Sequence, residues 1–134
     1  MNLKLIKQEY DIDFTNNLIS VIDLIKLQSL IGCKFGPLLK EYILTYGYIG
    51  YKSIEFYGVN SKQRERSDLI TQTLYLHKYF PKTLGLIAFE NQGEGDYYLL
   101  DTNDKVYGYN TETDVLEECD LNIFEYILTR FKEV

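Results

Sequence analysis

Apolar residues in the first quarter of the chain recur at the spacing of a helix. The positions that share one face are Leu18, Val21, Ile22 and Ile25, and three leucines widen the stripe: Leu24, Leu27 and Leu30. This pattern predicts an amphipathic helix over residues 16–31. Thr15 or Asn16 can cap its start, and Gly32 can end it.

Two more helices follow from similar signals. The sequence Phe35-Gly36-Pro37 opens a second helix, because proline is tolerated in a first turn, and Gly47 ends it. Its apolar face is Leu39, Tyr42, Ile43 and Tyr46. A third helix is predicted from Ser67 or Asp68 to about Tyr79, with one side formed by Ile70, Thr73, Leu74 and His77. Pro81 excludes its extension.

The remaining segments predict strands and a closing helix. Tyr51–Tyr57 is predicted as one strand, and residues 58–66 as a polar loop. Four further strands are expected at Gly85–Glu90, Asp96–Asp101, Lys105–Tyr109 and Val115–Cys119. The turns between these four are hairpin-length, which requires antiparallel pairing. Asn122 and Glu125 form a capping box before the last helix. The predicted class is α+β, an antiparallel meander sheet with helices packed on one side.

Length and composition predict one domain covering residues 1–134. The chain is 46% apolar and 25% charged, close to the average of globular proteins. Its longest apolar-rich stretch, Leu18–Ile31, is interrupted by polar residues and cannot span a bilayer. The first ten residues contain no apolar core of a signal peptide. We therefore expect a cytoplasmic location.

Charge is distributed unevenly along the chain. Residues 1–84 carry 11 Lys/Arg and 8 Asp/Glu, whereas residues 85–134 carry 3 Lys/Arg and 12 Asp/Glu, a net charge of −9. Such a segment repels nucleic acid phosphates and anionic membranes and attracts a basic partner. The alternative is that these acids only keep the protein soluble. The 13 tyrosines suit both half-buried sheet faces and protein interfaces.

No residue set predicts an enzyme, a cofactor or a metal site. His77 is the only histidine, so a nucleophile–histidine arrangement would have to include it. Cys33 and Cys119 lack neighbouring ligands and are expected to be buried thiols. The acids between Glu90 and Asp101 could be read as a glycosidase carboxylate pair, but paired surface acids are common. The basic run 62–66 has no aromatic neighbour and is expected to be a solvated loop.

The order and spacing of four motifs resemble the SUKH superfamily, the Smi/Knr-type domain. These motifs are residues 31–47, 91–101, 105–109 and 122–128. They match a helix opened by proline, a glycine turn before an Asp-aromatic-aromatic strand, a Lys-Val-Tyr strand and a closing aromatic helix. The chain departs from the pattern at Gly36-Pro37, where Leu-Pro is usual, and at Tyr48, where a second glycine is usual. Residues 52–83 match no motif of the family.

The resemblance implies a non-enzymatic module of the bacterial immunity branch. Such proteins bind and neutralise a cognate toxin domain, often a nuclease or deaminase, and the alternative within the superfamily is a regulatory or scaffold module. The partner is expected to be a basic protein, with no nucleic acid and no membrane, and the oligomeric state stays open. The predicted partner-binding residues are Glu90, Glu94, Asp96, Tyr97, Asp101, Tyr107, Tyr109, Glu112, Asp114, Glu117 and Glu118.

Overall fold

The computed structural model describes residues 2–15, 18–59 and 67–134. The α-helices in these ranges are α1 (Ile6–Glu9), α2 (Val21–Ile31), α3 (Pro37–Thr45), α4 (Leu69–Tyr79) and α5 (Ile123–Lys132). The strands are β1 (Asp13–Phe14), β2 (Ile49–Tyr51), β3 (Ile54–Phe56), β4 (Ile87–Gly93), β5 (Asp96–Leu100), β6 (Lys105–Asn110) and β7 (Val115–Asn122). Short 3-10 turns lie at Leu3–Leu5 and Pro81–Thr83.

Two antiparallel sheets organise these elements. The smaller sheet has the order β1-β2-β3, and the larger is the meander β4-β5-β6-β7. The end of β3 meets the edge of the meander, where the Tyr57 amide donates to the Phe89 carbonyl at 2.7 Å. The α+β class and the antiparallel meander are therefore confirmed. No helix in the described ranges has the length and apolar character needed to cross a membrane.

Helices contact both faces of the meander. Tyr97 and Tyr98 are consecutive in β5, so their side chains point to opposite faces. The Tyr98 ring stacks on Tyr126 of α5, with ring centroids 5.3 Å apart. Tyr97 lies opposite Tyr109 in the β5–β6 register, and the Tyr109 ring contacts Phe80 at the end of α4. The meander therefore has α5 on one face and the C-terminal end of α4 on the other, whereas the sequence predicted helices on one side.

Helix α2 differs most from the prediction. It begins at Val21, because Ser20 and Asp23 form a capping box there, and ends at Gly32 in the left-handed conformation. The predicted cap Asn16 lies outside the described residues. The buried members of the helix are Leu24 and Ile31, whereas Ile22 is 67% exposed. A stripe such as the predicted one normally packs on a core, but here most of it faces solvent.

Several strand boundaries in the structure also differ from the predicted ones. The predicted strand Tyr51–Tyr57 is a hairpin of β2 and β3, since Lys52 turns the chain with a φ of 53°. Strand β4 continues to Gly93, three residues past its predicted end, and β7 continues to Asn122. On α4 the predicted Leu74 is exposed, and Leu76 takes the buried position. Residues 60–66 of the predicted loop lie outside the described residues.

The predicted caps of α4 and α5 are confirmed. Asp68 caps α4 by accepting from the Thr71 amide at 2.8 Å. The Asn122–Glu125 capping box is formed at the start of α5. The predicted apolar face of α3 is fully buried: Leu39, Tyr42, Ile43 and Tyr46.

Aromatic side chains hold the core between the two sheets. Phe56 of β3 stacks on Phe89 of β4, with ring centroids 4.9 Å apart, and Tyr42 of α3 meets Phe89 edge-on. The Tyr42 hydroxyl donates to the Tyr57 carbonyl at 2.9 Å and accepts from the Ile49 amide at 3.1 Å. Burial raises the pKa of Tyr42 well above 10. Its hydroxyl is satisfied at both ends, as a buried polar group requires.

The start of α3 is capped from a distant part of the chain. Asp104, in the turn between β5 and β6, is 3% exposed and accepts from the Leu38 and Leu39 amides, each at 2.9 Å. A Cβ at Gly36 would lie 2.4 Å from an Asp104 carboxylate oxygen. The glycine that departs from the family pattern therefore makes room for this carboxylate. Burial raises the pKa of Asp104 above its ordinary value of 3.8, although the two amides oppose this shift.

We predict that Asp104→Ala lowers the free energy of unfolding by about 2 to 4 kcal/mol, because two buried amides lose their acceptor. Asp120→Ala is the matched control. Asp120 also has a positive φ, 60° against 64° for Asp104, but its side chain is exposed. The control should lose about 1 kcal/mol or less. Urea denaturation measures both values, and equal losses would show that strain at a positive φ, rather than capping, explains the effect.

Candidate functional site

Four of the predicted acids lie at one end of the meander, in and beside the β4–β5 and β6–β7 turns. We call this surface the acidic tip; it consists of Glu94, Asp96, Glu112 and Asp114. The two turns contact each other, because the Thr111 amide donates to the Gly95 carbonyl at 2.9 Å. The fold thus brings together acids that are 16 to 20 residues apart in sequence.

Asn110 organises the acidic tip. Its side-chain amide donates to Asp96 Oδ1 at 2.7 Å, and its side-chain oxygen accepts from the Glu112 and Thr113 amides, each at 2.9 Å. Glu94 and Asp114 have φ angles of 54° and 56°, which direct the chain sharply at each turn. The tip is therefore a bonded arrangement of two turns, in which the backbone carrying the acids is held in place.

Asp114 is the acid with the most contacts at the tip. It accepts from the Tyr109 hydroxyl at 2.5 Å, and Lys82 Nζ lies 3.5 Å from its other oxygen. The hydrogen bond from Tyr109, with Lys82 nearby, holds the pKa of Asp114 below its ordinary value of 3.8. Burial and the same hydrogen bond raise the pKa of Tyr109 to about 12. Asp114 therefore stays ionised, and Tyr109 protonated, across the physiological range.

Other predicted acids lie away from the tip. Asp101 closes the β5–β6 turn at the opposite end of the sheet, where Oδ1 accepts from the Asn103 and Lys105 amides and Oδ2 from the Tyr107 hydroxyl. Glu118 lies 3.7 Å from Lys105 Nζ. Glu117 lies opposite Gly108 in the β6–β7 register and lines a shallow depression together with residues 96–98. Of these three acids, Glu117 is the one whose surface is continuous with the acidic tip, since it shares this depression with Asp96.

The predicted tyrosines are less exposed than the acids. Tyr97 and Tyr109 are buried, with 9% and 2% of their surface exposed, and Tyr107 is half-buried. The Tyr109 hydroxyl is already bonded to Asp114. The two buried rings contribute to the core of the protein. Of the three predicted tyrosines, Tyr107 has the most solvent-exposed surface with which a partner could make contact.

Glu90 occupies a buried ion pair. It is 2% exposed, and its two oxygens accept from Arg130 Nε and Nη2 of α5 at 2.9 and 2.8 Å, while the Tyr126 hydroxyl donates to Oε1. Gln92 donates to the Tyr126 hydroxyl at 3.0 Å. The bonds to Glu90 raise the pKa of Arg130, and burial with the carboxylate raises the pKa of Tyr126. The residues that bind Glu90, 36 and 40 positions later, left no signal in the sequence.

The groups considered for catalysis have structural contacts. The His77 ring donates to the Leu86 carbonyl at 2.7 Å. Cys33 and Cys119 are free thiols, and burial raises the pKa of each. Within the ranges that the structure describes, no group of three His, Cys, Asp or Glu side chains is placed to hold a metal ion.

We predict that Arg130→Met lowers the free energy of unfolding by about 3 to 5 kcal/mol, because it leaves the Glu90 carboxylate buried without its cation. The double variant Glu90→Gln/Arg130→Met should recover much of this loss. Glu133→Ala, which removes only the 51% exposed partner of Arg130, should cost about 1 kcal/mol or less. Thermal and urea unfolding measure the series, and a double variant less stable than Arg130→Met would contradict the explanation.

We also predict that Tyr109→Phe raises the pKa of Asp114 toward 3.8. In the wild type the lowered pKa means that the ionised carboxylate stabilises the fold above the unfolded pKa, and that this contribution is lost as the pH falls. The variant should lose this part of the acid dependence. Carbon-13 NMR of the side-chain carboxyl measures the titration directly. Tyr107→Phe is the control, since that hydroxyl bonds to Asp101; an unchanged Asp114 titration in Tyr109→Phe would refute the prediction.

The fold defines an α+β domain with an acidic surface, and the comparison with known families specifies which family it belongs to. The model of the SUKH_5 family, described as SMI1-KNR4 cell-wall, matches residues 3–132. The chain therefore belongs to the SUKH_5 family. A search of curated proteins found no match.

Proposed function

We propose that this protein is an immunity protein that binds and neutralises a cognate bacterial toxin domain of the nuclease or deaminase class, without making or breaking a bond. Membership in a SUKH family supports this role, because SUKH domains include immunity proteins of polymorphic toxin systems. The structural observation that supports a particular docking surface is the acidic tip.

Electrostatics favours a basic partner at this end of the sheet. Glu94 and Glu112 are exposed, and in the described ranges neither takes part in an ion pair. Among the residues that the structure describes, Lys82 is the cation that contacts the tip, and its bonds there go to Asp114. Enzymes that act on nucleic acids present basic surfaces, because their substrates carry a phosphate charge at every nucleotide. An acidic tip would meet such a surface where the substrate phosphates bind.

The bonded turns would also lower the cost of association. Asn110 and Tyr109 hold the tip in one conformation before a partner arrives. Binding then loses less conformational entropy than it would with mobile loops. The charges would mainly speed the encounter, and contacts further along the sheet, including the half-buried Tyr107, would slow dissociation.

The test uses the cognate toxin domain, which this proposal expects to be encoded beside this protein's gene. We predict that Glu94→Lys/Glu112→Lys slows association with that domain by about tenfold at low salt and weakens its salt dependence. Glu9→Lys/Asp11→Lys is the matched control, because it changes the net charge equally at exposed residues of the other half of the chain. Stopped-flow association across a salt series measures the rates. Equal rates for both variants would reject the acidic tip as the docking surface.

A separate experiment tests the immunity role itself. Cells that express the toxin domain should survive when this protein is co-expressed, and the purified protein should form a stable complex with the domain. Growth arrest despite co-expression would reject the role whatever surface is involved. The cell-wall association in the description of the family favours a second candidate function, that of a non-enzymatic regulatory module. If the protein is a regulatory module, its partner should be a housekeeping protein, and no toxin gene should lie beside its own gene.

A further inference from the structure

Strand β7 is the uncovered edge of the meander. Its eight residues, Val115–Asn122, pair only with β6 in the part of the chain that the structure describes. The opposite edge, β4, meets the end of β3 instead. No residue of β7 is buried, so no described helix or loop covers this edge. An edge strand points N–H and C=O groups outward at alternate residues, and these groups can pair with an extended chain.

The first half of β7 is the part that stays regular. Val115–Glu118 pairs with Tyr107–Asn110 without interruption, and we call residues 115–118 the edge segment. Beyond it the register shifts and Asp120 has a φ of 60°, so a bulge bends the rest of the strand. Proline and lysine commonly protect an edge against other strands, and the edge segment contains neither. The edge segment is therefore open to a further strand.

The side chains of the edge segment specify what kind of strand fits. Val115 and Glu117 point to one face of the sheet, and Leu116 and Glu118 point to the other. Among the described residues Glu117 forms no ion pair, and Glu118 has only an exposed one with Lys105, which contributes little. Residues directly opposite each other on neighbouring strands interact. A fitting strand therefore places two apolar residues opposite the first two positions and two basic residues opposite the acids.

A second copy of this chain does not fit this edge. When two edge segments pair antiparallel in full overlap, Val115 lies opposite Glu118 and Leu116 opposite Glu117. A shift by one residue places Glu117 opposite itself, and the reverse shift places Glu118 opposite Asp114. Like charges directly opposite each other destabilise a sheet. The acids that repel a copy of this chain attract a basic strand, so the occupant of the edge is a different protein.

We propose that the edge segment binds an extended strand of a basic protein, antiparallel to β7, in which two basic residues are followed by two apolar ones. Antiparallel pairing is the more stable kind and continues the meander. Asp114 of the acidic tip directly precedes Val115, so the tip and the edge segment form one continuous surface. The assignment of this strand to the toxin domain rests on the proposed function, in which the tip attracts the domain and the edge aligns it.

The first experiment needs no toxin. It titrates the wild-type protein with a capped peptide of two arginines followed by two isoleucines, flanked by threonines, up to about 5 mM. Amide chemical shifts in NMR should change along β7, and the peptide with the reversed core should bind at least about tenfold more weakly, because it places basic residues opposite Val115 and Leu116. Both peptides have the same composition and charge, so a purely electrostatic attraction would not distinguish them.

The second experiment uses the complex with the cognate toxin domain. Amides of β7 that exchange rapidly in the free protein should exchange at least about tenfold more slowly in the complex. Glu117→Lys/Glu118→Lys should raise the dissociation rate at least about tenfold, because basic residues then face basic residues. Glu9→Lys/Asp11→Lys is the matched control, with an equal change of charge at exposed residues away from the edge. Circular dichroism should show that both variants keep the wild-type fold.

Three results would overturn the inference. The first is that the two peptides bind equally or leave the β7 amides unchanged, and the second is that β7 amides shift with protein concentration alone, which would assign the edge to a second copy. The third is a toxin complex in which the β7 amides exchange as in the free protein, a result that leaves the immunity role intact. A toxin domain that does not bind at all would reject the proposed function and the toxin as the source of the strand, while the peptide experiment would still decide whether the edge accepts a basic strand.

Discussion

The carboxylate of Asp104 is the polar contact that joins the start of α3 to the meander. It accepts from the first free amides of α3, in the N-terminal half, from a turn of the meander in the C-terminal half. The backbone carbonyl of the same residue accepts from the Ile123 amide at the start of α5. One turn thus sets where two helices begin. Since α3 and α5 both contribute aromatic residues to the core, the placement of Phe56, Phe89 and Tyr126 depends on it.

The polar interior and the charged exterior of the protein have different roles. Glu90, Arg130 and Tyr126 form a satisfied network that connects β4 to α5. Such networks are costly when one member is removed, and they specify one packing of the elements around them. The acids at the tip are held by turn backbone instead, and their charge stays in water. Burial therefore separates acids of the same strand and turn, Glu90 and Glu94, into a packing role and a surface role.

Local signals predicted much of the fold correctly. The caps at Asp68 and Asn122, the stop at Gly32 and the meander from β4 to β7 were readable because each depends on residues a few positions apart. The sequence also indicated that acids concentrate in the second half of the chain. It could not indicate that Asp96 meets the Glu112 turn while Asp101 lies at the other end, because strand register decides that.

The sequence by itself determined the class of fold, the meander from β4 to β7, the caps of α4 and α5 and the negative charge of the C-terminal half. Only the tertiary structure decided which apolar face of α2 is buried. Both faces satisfy the helical period. Which face is buried therefore depends on where α2 meets the rest of the domain, and the face that carries Leu24 and Ile31 is the buried one. The same holds for Asp104 and Glu90, whose partners lie 65 and 40 residues away. Contacts over such separations follow from packing, which no local pattern records.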